Sequence, residues 1–316
     1  MDPSGQAGCT FRPLVAVTIA RVGKLFHNSC ITNRGNGGAA VDEIEQAPPG
    51  VDITVPSPAR IYDYILGGTA NYKVDREAAE RVRQAMPDMV DTAWANRGFL
   101  QRSVRWLAEN GIRQFIDVGA GLPTGNNTHD AVQAVAPDAR ILYADFDPLV
   151  EMHAKTLLKD VPGTACITAD FRDPDALLGH EETRAMIDFT EPAALLLVTV
   201  THFISDEDDP WGLIQEYMGR LAPGSYLALS AVTSDRQIEG AIDDLKKVFA
   251  RSSSGGAYPR PRAEIERFFT GLEIVPPYEG APAEICYLGE WGAEDPEAAD
   301  SEGSRWGYCA VARKSA

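Results

Sequence analysis

From Gln114 onward the chain alternates short apolar runs with helix-patterned stretches, and no other sequence feature constrains the fold as tightly. Strand-like runs cover 114–118, 141–144, 165–169, 193–200 and 225–231. Helical patterning fills the gaps at 127–136, 148–159, 173–189 and 210–221. Parallel strands need long crossovers, and helices of this size supply them, so the pattern predicts an α/β, doubly wound, mostly parallel sheet. The run 193–200 is apolar on both faces, as the centre of such a sheet requires. Helices over 235–250 and 262–269 follow. Two last strand-like runs, 284–288 and 307–312, read as an antiparallel edge pair around an acidic exposed loop, 289–303.

Before the sheet, 51–111 reads as a helical preamble. Ser57-Pro58 opens one helix with Ile61, Ile65 and Leu66 on one side, closed by Gly67-Gly68. Asp75 is expected to cap a second, stopped by Pro87. Asp91 is expected to cap a third, carrying Leu100, Val104, Leu107 and Ala108 on one face. The division is therefore an N-terminal extension (1–50), a helical cap (51–111) and a core (112–316). The extension holds four basic residues against one acid up to residue 41, and its Gly, Asn and Pro clusters are linker chemistry. It is expected to be disordered, with a targeting or regulatory arm as the alternative. Its apolar run at 14–20 is too short, and too soon followed by Arg21 and Lys24, to read as a secretory signal.

Composition narrows the partners. A net charge of −17 repels phosphate backbones and anionic lipid, so neither nucleic acid nor a membrane is expected. No run approaches the ~18 apolar residues a spanning helix needs. Five scattered cysteines (Cys9, Cys30, Cys166, Cys286, Cys309) form no CxxC pair or Cys/His cluster, so a reducing cytoplasm and no metal site are expected.

In a doubly wound sheet, ligands sit beyond the carboxyl ends of the strands, where strand order reverses. Four loops fall there. The first reads Asp117-Val-Gly119-Ala-Gly121-Leu-Pro123-Thr124. Its glycines let the backbone turn sharply against a ligand, or simply turn. Thr124 stands where a dinucleotide fingerprint needs a third glycine, and Pro123 removes an N–H, so a pyrophosphate cradle is disfavoured. The second loop ends in Asp145-Phe146-Asp147-Pro148. Asp145 is placed to accept both hydroxyls of a ribose, Asp147 to cap the next helix, and Phe146 to flank a base or join the core. The third carries Asp170, able to accept from an adenine amine unless it merely braces its loop, followed by Phe171. The fourth carries Thr201-His202-Phe203 and an acidic run from Asp206. His202 is a candidate general base or acceptor-steering group, against the plainer reading of a hydrogen-bonding histidine. The acidic run reads as solvated capping. No serine-hydrolase elbow, P-loop or HExxH occurs.

These strand-end positions, taken in order, resemble a class I S-adenosylmethionine-dependent methyltransferase, as does the stretch 221–229 entering the fifth strand. More closely, the chain resembles the actinobacterial S-adenosyl methyltransferase family first catalogued as a domain of unknown function. The matching blocks are 58–68, 95–97, 111–124, 136–140, 202–203, 221–225 and 264–272. The resemblance covers about 51–314 and implies a Rossmann-like sheet binding S-adenosyl-L-methionine. By it, Asp117, Gly119, Gly121 and Phe146 line the cofactor, Asp145 lies on the ribose, and Asp170 with the Phe171 backbone meets the adenine. Tyr62, Gly68, Asn96 and Arg97 are implied to cover the cofactor or acceptor. One departure is Thr201, where the family pattern has leucine; a threonine facing the substrate would alter acceptor preference. The implied activity is in-line methyl transfer to a small-molecule acceptor. A SAM-binding regulator without turnover and a nicotinamide-dependent oxidoreductase are the alternatives.

Overall fold

The computed structural model describes residues 47–123, 125–236 and 238–315. Most of the expected extension, including Cys9 and Cys30, and the Thr124 position lie outside the described residues. Three helices come first: α1 (Pro58–Ile65), α2 (Lys73–Ala85) and α3 (Met89–Glu109). The alternation then unfolds as β1 (Gln114–Val118), α4 (Thr128–Gln133), β2 (Arg140–Asp145), α5 (Pro148–Leu157), β3 (Thr164–Thr168), α6 (Pro174–Gly179), α7 (Glu181–Met186), β4 (Ala194–Val198), α8 (Pro210–Arg220) and β5 (Tyr226–Val232). The chain closes with α9 (Ala241–Phe249), α10 (Arg262–Glu266), β6 (Glu273–Ile274), β7 (Cys286–Tyr287), α11 (Pro296–Ala299) and β8 (Gly307–Arg313).

The sheet runs β3-β2-β1-β4-β5-β8-β6, with β7 also paired to β8. Strands β1 to β5 are parallel, and β8 is antiparallel to β5, β6 and β7. The antiparallel C-terminal edge is present, and it gains the two-residue β6, too short to register as a periodic run. Strand order reverses between β1 and β4, which opens a crevice beyond Val118 and Val198.

Period-two alternation divides the core. Ile116, Leu142 and Leu195 face one side, against Leu177, Ile214, Tyr217 and Phe268. Phe115, Ile141 and Leu196 face the other, against Leu100, Val104 and Leu107 of α3. A separate apolar cluster joins α1 and α2 to α9 through Ile61, Val82, Met86, Leu245 and Val248, with Trp306 fully buried among them. Each such buried side chain contributes about 1.5–3 kcal/mol.

Helix starts depart from expectation where side chains found other partners. Asp75 lies at the third residue of α2, not its cap, and its two oxygens accept the N–H groups of Tyr72 and Ser57, both at 2.9 Å. That ties the start of α1 to the start of α2. Helix α3 begins two residues before Asp91, behind Asp88. Asp235 accepts the Arg262 N–H, and Gly240, with φ +76°, sets the start of α9 instead. Asp147 and Asp209 do cap α5 and α8, accepting from Leu149 (2.9 Å) and Gly212 (3.1 Å).

Candidate active site

One cavity of about 210 Å³ runs along the carboxyl ends of β1, β2, β3 and β4 and continues under α1 to α3 and α9. Asp117, Gly119, Gly121, Asp145, Phe146, Asp170, Phe171, His202, Tyr62, Asn96 and Arg97 all border it.

The glycine loop is built for close approach. Gly119 has φ +69°, and a Cβ there would fall 2.3 Å from Val200 Cγ2, so this residue lets the β1 loop lie against the β4 loop. Gly121 has φ +65° and faces open space. Its N–H donates to Asp145 Oδ2 at 2.9 Å, while the Asp147 N–H donates to Asp145 Oδ1 at 2.9 Å. Each oxygen of Asp145 keeps a lone pair for a further donor. Burial pushes the Asp145 carboxyl up to about 6, against the backbone hydrogen bonds that lower it. Asp117 is likewise raised to about 6 by burial, although the Thr128 hydroxyl donates to it at 2.6 Å. Phe146, 39% exposed, stands at the rim.

Asp170 is engaged within its own loop. The Arg172 guanidinium donates to both its oxygens and the Arg172 N–H to Oδ1. Burial works to raise this carboxyl, but Arg172 outweighs it and holds the group below the ordinary range. Phe171 borders the cavity, and its ring stacks on Tyr217 at 5.0 Å within the core.

His202 is buried, its Nδ1 has no hydrogen-bond partner, and burial plus the nearby Arg260 push its imidazole down to about 3. Neutral at any physiological pH, it offers a hydrogen-bonding nitrogen and is a weak proton store. Arg260, which the sequence did not single out, pins this loop. It donates to the carbonyls of Thr201 (2.9 Å) and Ile204 (2.7 Å) and to Asp206 Oδ1 (2.6 Å).

Two candidates do not reach the cavity. Thr201 is fully buried in the 3₁₀ turn Thr201–Phe203, and it is the adjacent His202 that borders the cavity. Gly68 also lies off the cavity. A Cβ there would fall 2.0 Å from Asp63 Oδ1, so Gly68 makes room for Asp63, which does line it.

The cap is stitched to the core by polar contacts. Ser230 Oγ on β5 donates to Asn96 Oδ1 (2.7 Å), Asn96 Nδ2 donates to the Tyr62 hydroxyl (3.1 Å), and that hydroxyl donates to the Ala93 carbonyl (3.0 Å). Ser230 Oγ also accepts the Thr199 N–H at 3.1 Å. Thr199, with φ +60°, sits in the left-handed region that β-branched residues avoid, at the mouth of β4. Arg97 donates to the carbonyls of Gly125 and Asn126, just beyond the glycine loop. Buried Arg60 lies 3.4 Å from Asp75 and 3.7 Å from Asp147. A long-range network of this kind leaves no periodic trace; only the clustering of Tyr, Gly, Asn and Arg in the preamble hinted at it.

Asp63, Asp117 and Asp145 are all buried, and among the described residues no ion pair within 4 Å reaches any of them. Buried carboxylates without countercharge are costly, and they fit a cationic ligand while repelling a pyrophosphate. That donor set fits S-adenosylmethionine and disfavours a nicotinamide dinucleotide. Among the described residues no cluster of three His, Cys, Asp or Glu could hold a metal ion, and no helix is long and apolar enough to cross a membrane.

A parallel sheet reversing between β1 and β4, with a glycine loop after β1 and acids ending β2 and β3, defines the class I S-adenosylmethionine-dependent methyltransferase fold. The chain belongs to the S-adenosyl methyltransferase family, whose model matches residues 44–315. S-adenosyl-L-methionine is the cofactor of that family. Among solved structures, the chain is similar to a candidate methyltransferase from Thermobifida fusca, with 39% identity, a TM-score of 0.77, and coverage of 85% of this chain and 98% of that one. It is also similar to a DUF574 family protein from Streptomyces avermitilis, with 37% identity, a TM-score of 0.75, and coverage of 83% and 99%. No curated protein matches the chain.

Proposed function

We propose that this methyltransferase acts on an uncharged, largely apolar small molecule. The observation that carries the reading is the two-part character of the single cavity. At the strand ends it is rich in carboxylates. Under the cap most of its walls are apolar, Ile61, Ile65, Val82, Met86, Leu245 and Phe249, and the charged side chains that the cap brings to it are Asp63 and Arg97. An apolar, enclosed chamber rejects peptides and nucleic acid, whose charges would lose their hydration without replacement. The net charge of −17 and the free Cys166, Cys286 and Cys309 support a cytoplasmic small-molecule enzyme.

In this reading Asp145 accepts the ribose hydroxyls, Phe146 flanks the base, and Asp170 with the Phe171 backbone meets the adenine edge. Gly119 and Gly121 let the loop from Asp117 run along the ligand. Bound S-adenosylmethionine would supply a methyl group on a sulfonium: the acceptor's lone pair forms the new bond to carbon as the C–S bond breaks to leave a neutral thioether, and a hydroxyl acceptor gives up its proton to solvent. The protein's part is alignment and exclusion of water. Helices α1 to α3 close the chamber as a cap, with Tyr62 and Asn96 at its floor. Neutral His202 receives a hydrogen bond from the acceptor and orients it.

The test is release of S-adenosylhomocysteine across a panel of neutral hydroxylated aromatics, matched carboxylates and amines, peptides and RNA. Turnover confined to the neutral set is expected. Turnover on charged acceptors, peptides or RNA with none on the neutral set would overturn the reading.

A further inference from the structure

The cap contains one acid that the strand-end pattern leaves unused. Asp63 on α1 is 4% exposed and lines the cavity. Its Oδ2 accepts from Asn71 Nδ2 at 2.8 Å, and no cation of the described residues reaches it. Arg76 is spent on Asn71, donating to its backbone and side-chain oxygens. The chain also gives up a side chain at Gly68 to seat this carboxylate. A buried carboxylate held by a neutral amide, at a cavity wall, lacks the countercharge that burial ordinarily demands.

Ala59, one turn before Asp63, and Ala70, beside Asn71, both pack against the cluster of Leu122, Leu149 and Val150. Leu122 directly follows Gly121. The segment that carries Asp63 therefore docks on the residue that follows the glycine loop and on the start of α5, where Arg60 lies 3.7 Å from Asp147. Arg97 borders the same cavity from α3 and is fixed to the carbonyls just beyond that loop.

Resting on the cofactor reading above, we propose that Asp63 binds the α-ammonium group of the methionine end of S-adenosylmethionine, so that the cap completes the cofactor site. Gly68 and Asn71 are positioning residues for that carboxylate. The amino-acid end is then clasped from the cap side, while Asp145 grips the nucleoside from the sheet side.

Truncating the ligand separates these roles. Calorimetric titration would use S-adenosylmethionine, S-adenosylhomocysteine and 5′-methylthioadenosine, which keeps the nucleoside but has no amino-acid end. Asp63→Asn is expected to weaken the first two by roughly 10- to 100-fold, the loss typical of a charged hydrogen bond, with methylthioadenosine affinity within about 2-fold of the parent. Gly68→Ala, which crowds the carboxylate, is expected to show the same selectivity. Asp145→Ala is expected to weaken all three. Equal weakening of all three ligands by Asp63→Asn would mean that Asp63 only holds the cap in place, and unchanged affinities would mean that it is idle; either overturns the proposal. Failure of all three to bind the folded parent protein would sink the cofactor reading itself.

Discussion

The Asp145 carboxylate accepts the Gly121 N–H at 2.9 Å, so the acid ending β2 braces the glycine loop leaving β1. In the proposed reading the same side chain that accepts the ribose hydroxyls also sets the path of the loop. Replacing it by alanine is expected to cut S-adenosylmethionine affinity roughly 10- to 100-fold, since a charge-assisted hydrogen bond is worth about 1.5–3 kcal/mol. Calorimetry on the purified variant checks this, with its melting curve confirming that the variant is folded.

Acidification should loosen the cofactor. Asp117 and Asp145 are both pushed up to about 6 by burial. Raised carboxyls stabilise the fold while protonated, and that contribution is lost as pH rises through 6. A cationic ligand has the opposite preference and binds the ionised pair. Affinity for S-adenosylmethionine should therefore fall as pH drops from 7.5 through 6 to 5. Titrations across that range, with Asp145→Asn flattening the dependence, measure it.

His202 should not titrate between pH 5 and 8, because burial and Arg260 hold its imidazole near 3. For a histidine whose folded value is depressed, stability is full above the unfolded value of about 6.5 and declines as pH falls toward 3. The ring resonances should stay fixed by NMR from pH 8 to 5. Denaturant titrations at pH 7.5 and 5 should show the parent losing more stability on acidification than His202→Gln.

The two loop glycines should differ. Gly119→Ala places a methyl 2.3 Å from Val200 Cγ2 in a left-handed conformation, and a cost of about 2–4 kcal/mol is expected from overlap plus backbone strain. Gly121→Ala meets open space and carries only the strain, about 1 kcal/mol. Urea denaturation of both variants tests the ordering. Equal destabilisation would mean that the two loops do not interlock.

The sheet and the strand-end acids were legible in the linear chain because they are local facts. A run such as Ala194–Val198, apolar on both faces, can only lie inside a covered parallel sheet, and the acids at 145 and 170 fall at fixed offsets from the ends of such runs. Asp147 and Asp209 could be read as caps for the same reason, each standing directly before a proline-initiated helix. Tertiary structure alone decided the rest. It placed Asp75 in the first turn of α2, where it closes a capping box with Tyr72 and also accepts the N–H of Ser57, eighteen residues away. It turned Thr201 into the interior and brought in Arg260 to pin the loop beside it. It seated Asp63 at the cavity wall against Asn71, and joined Asn96 to Ser230 across 134 residues. Periodicity records which way a side chain faces within its own element. Which partner it meets there depends on how distant elements pack, and that information appears only when the chain is folded.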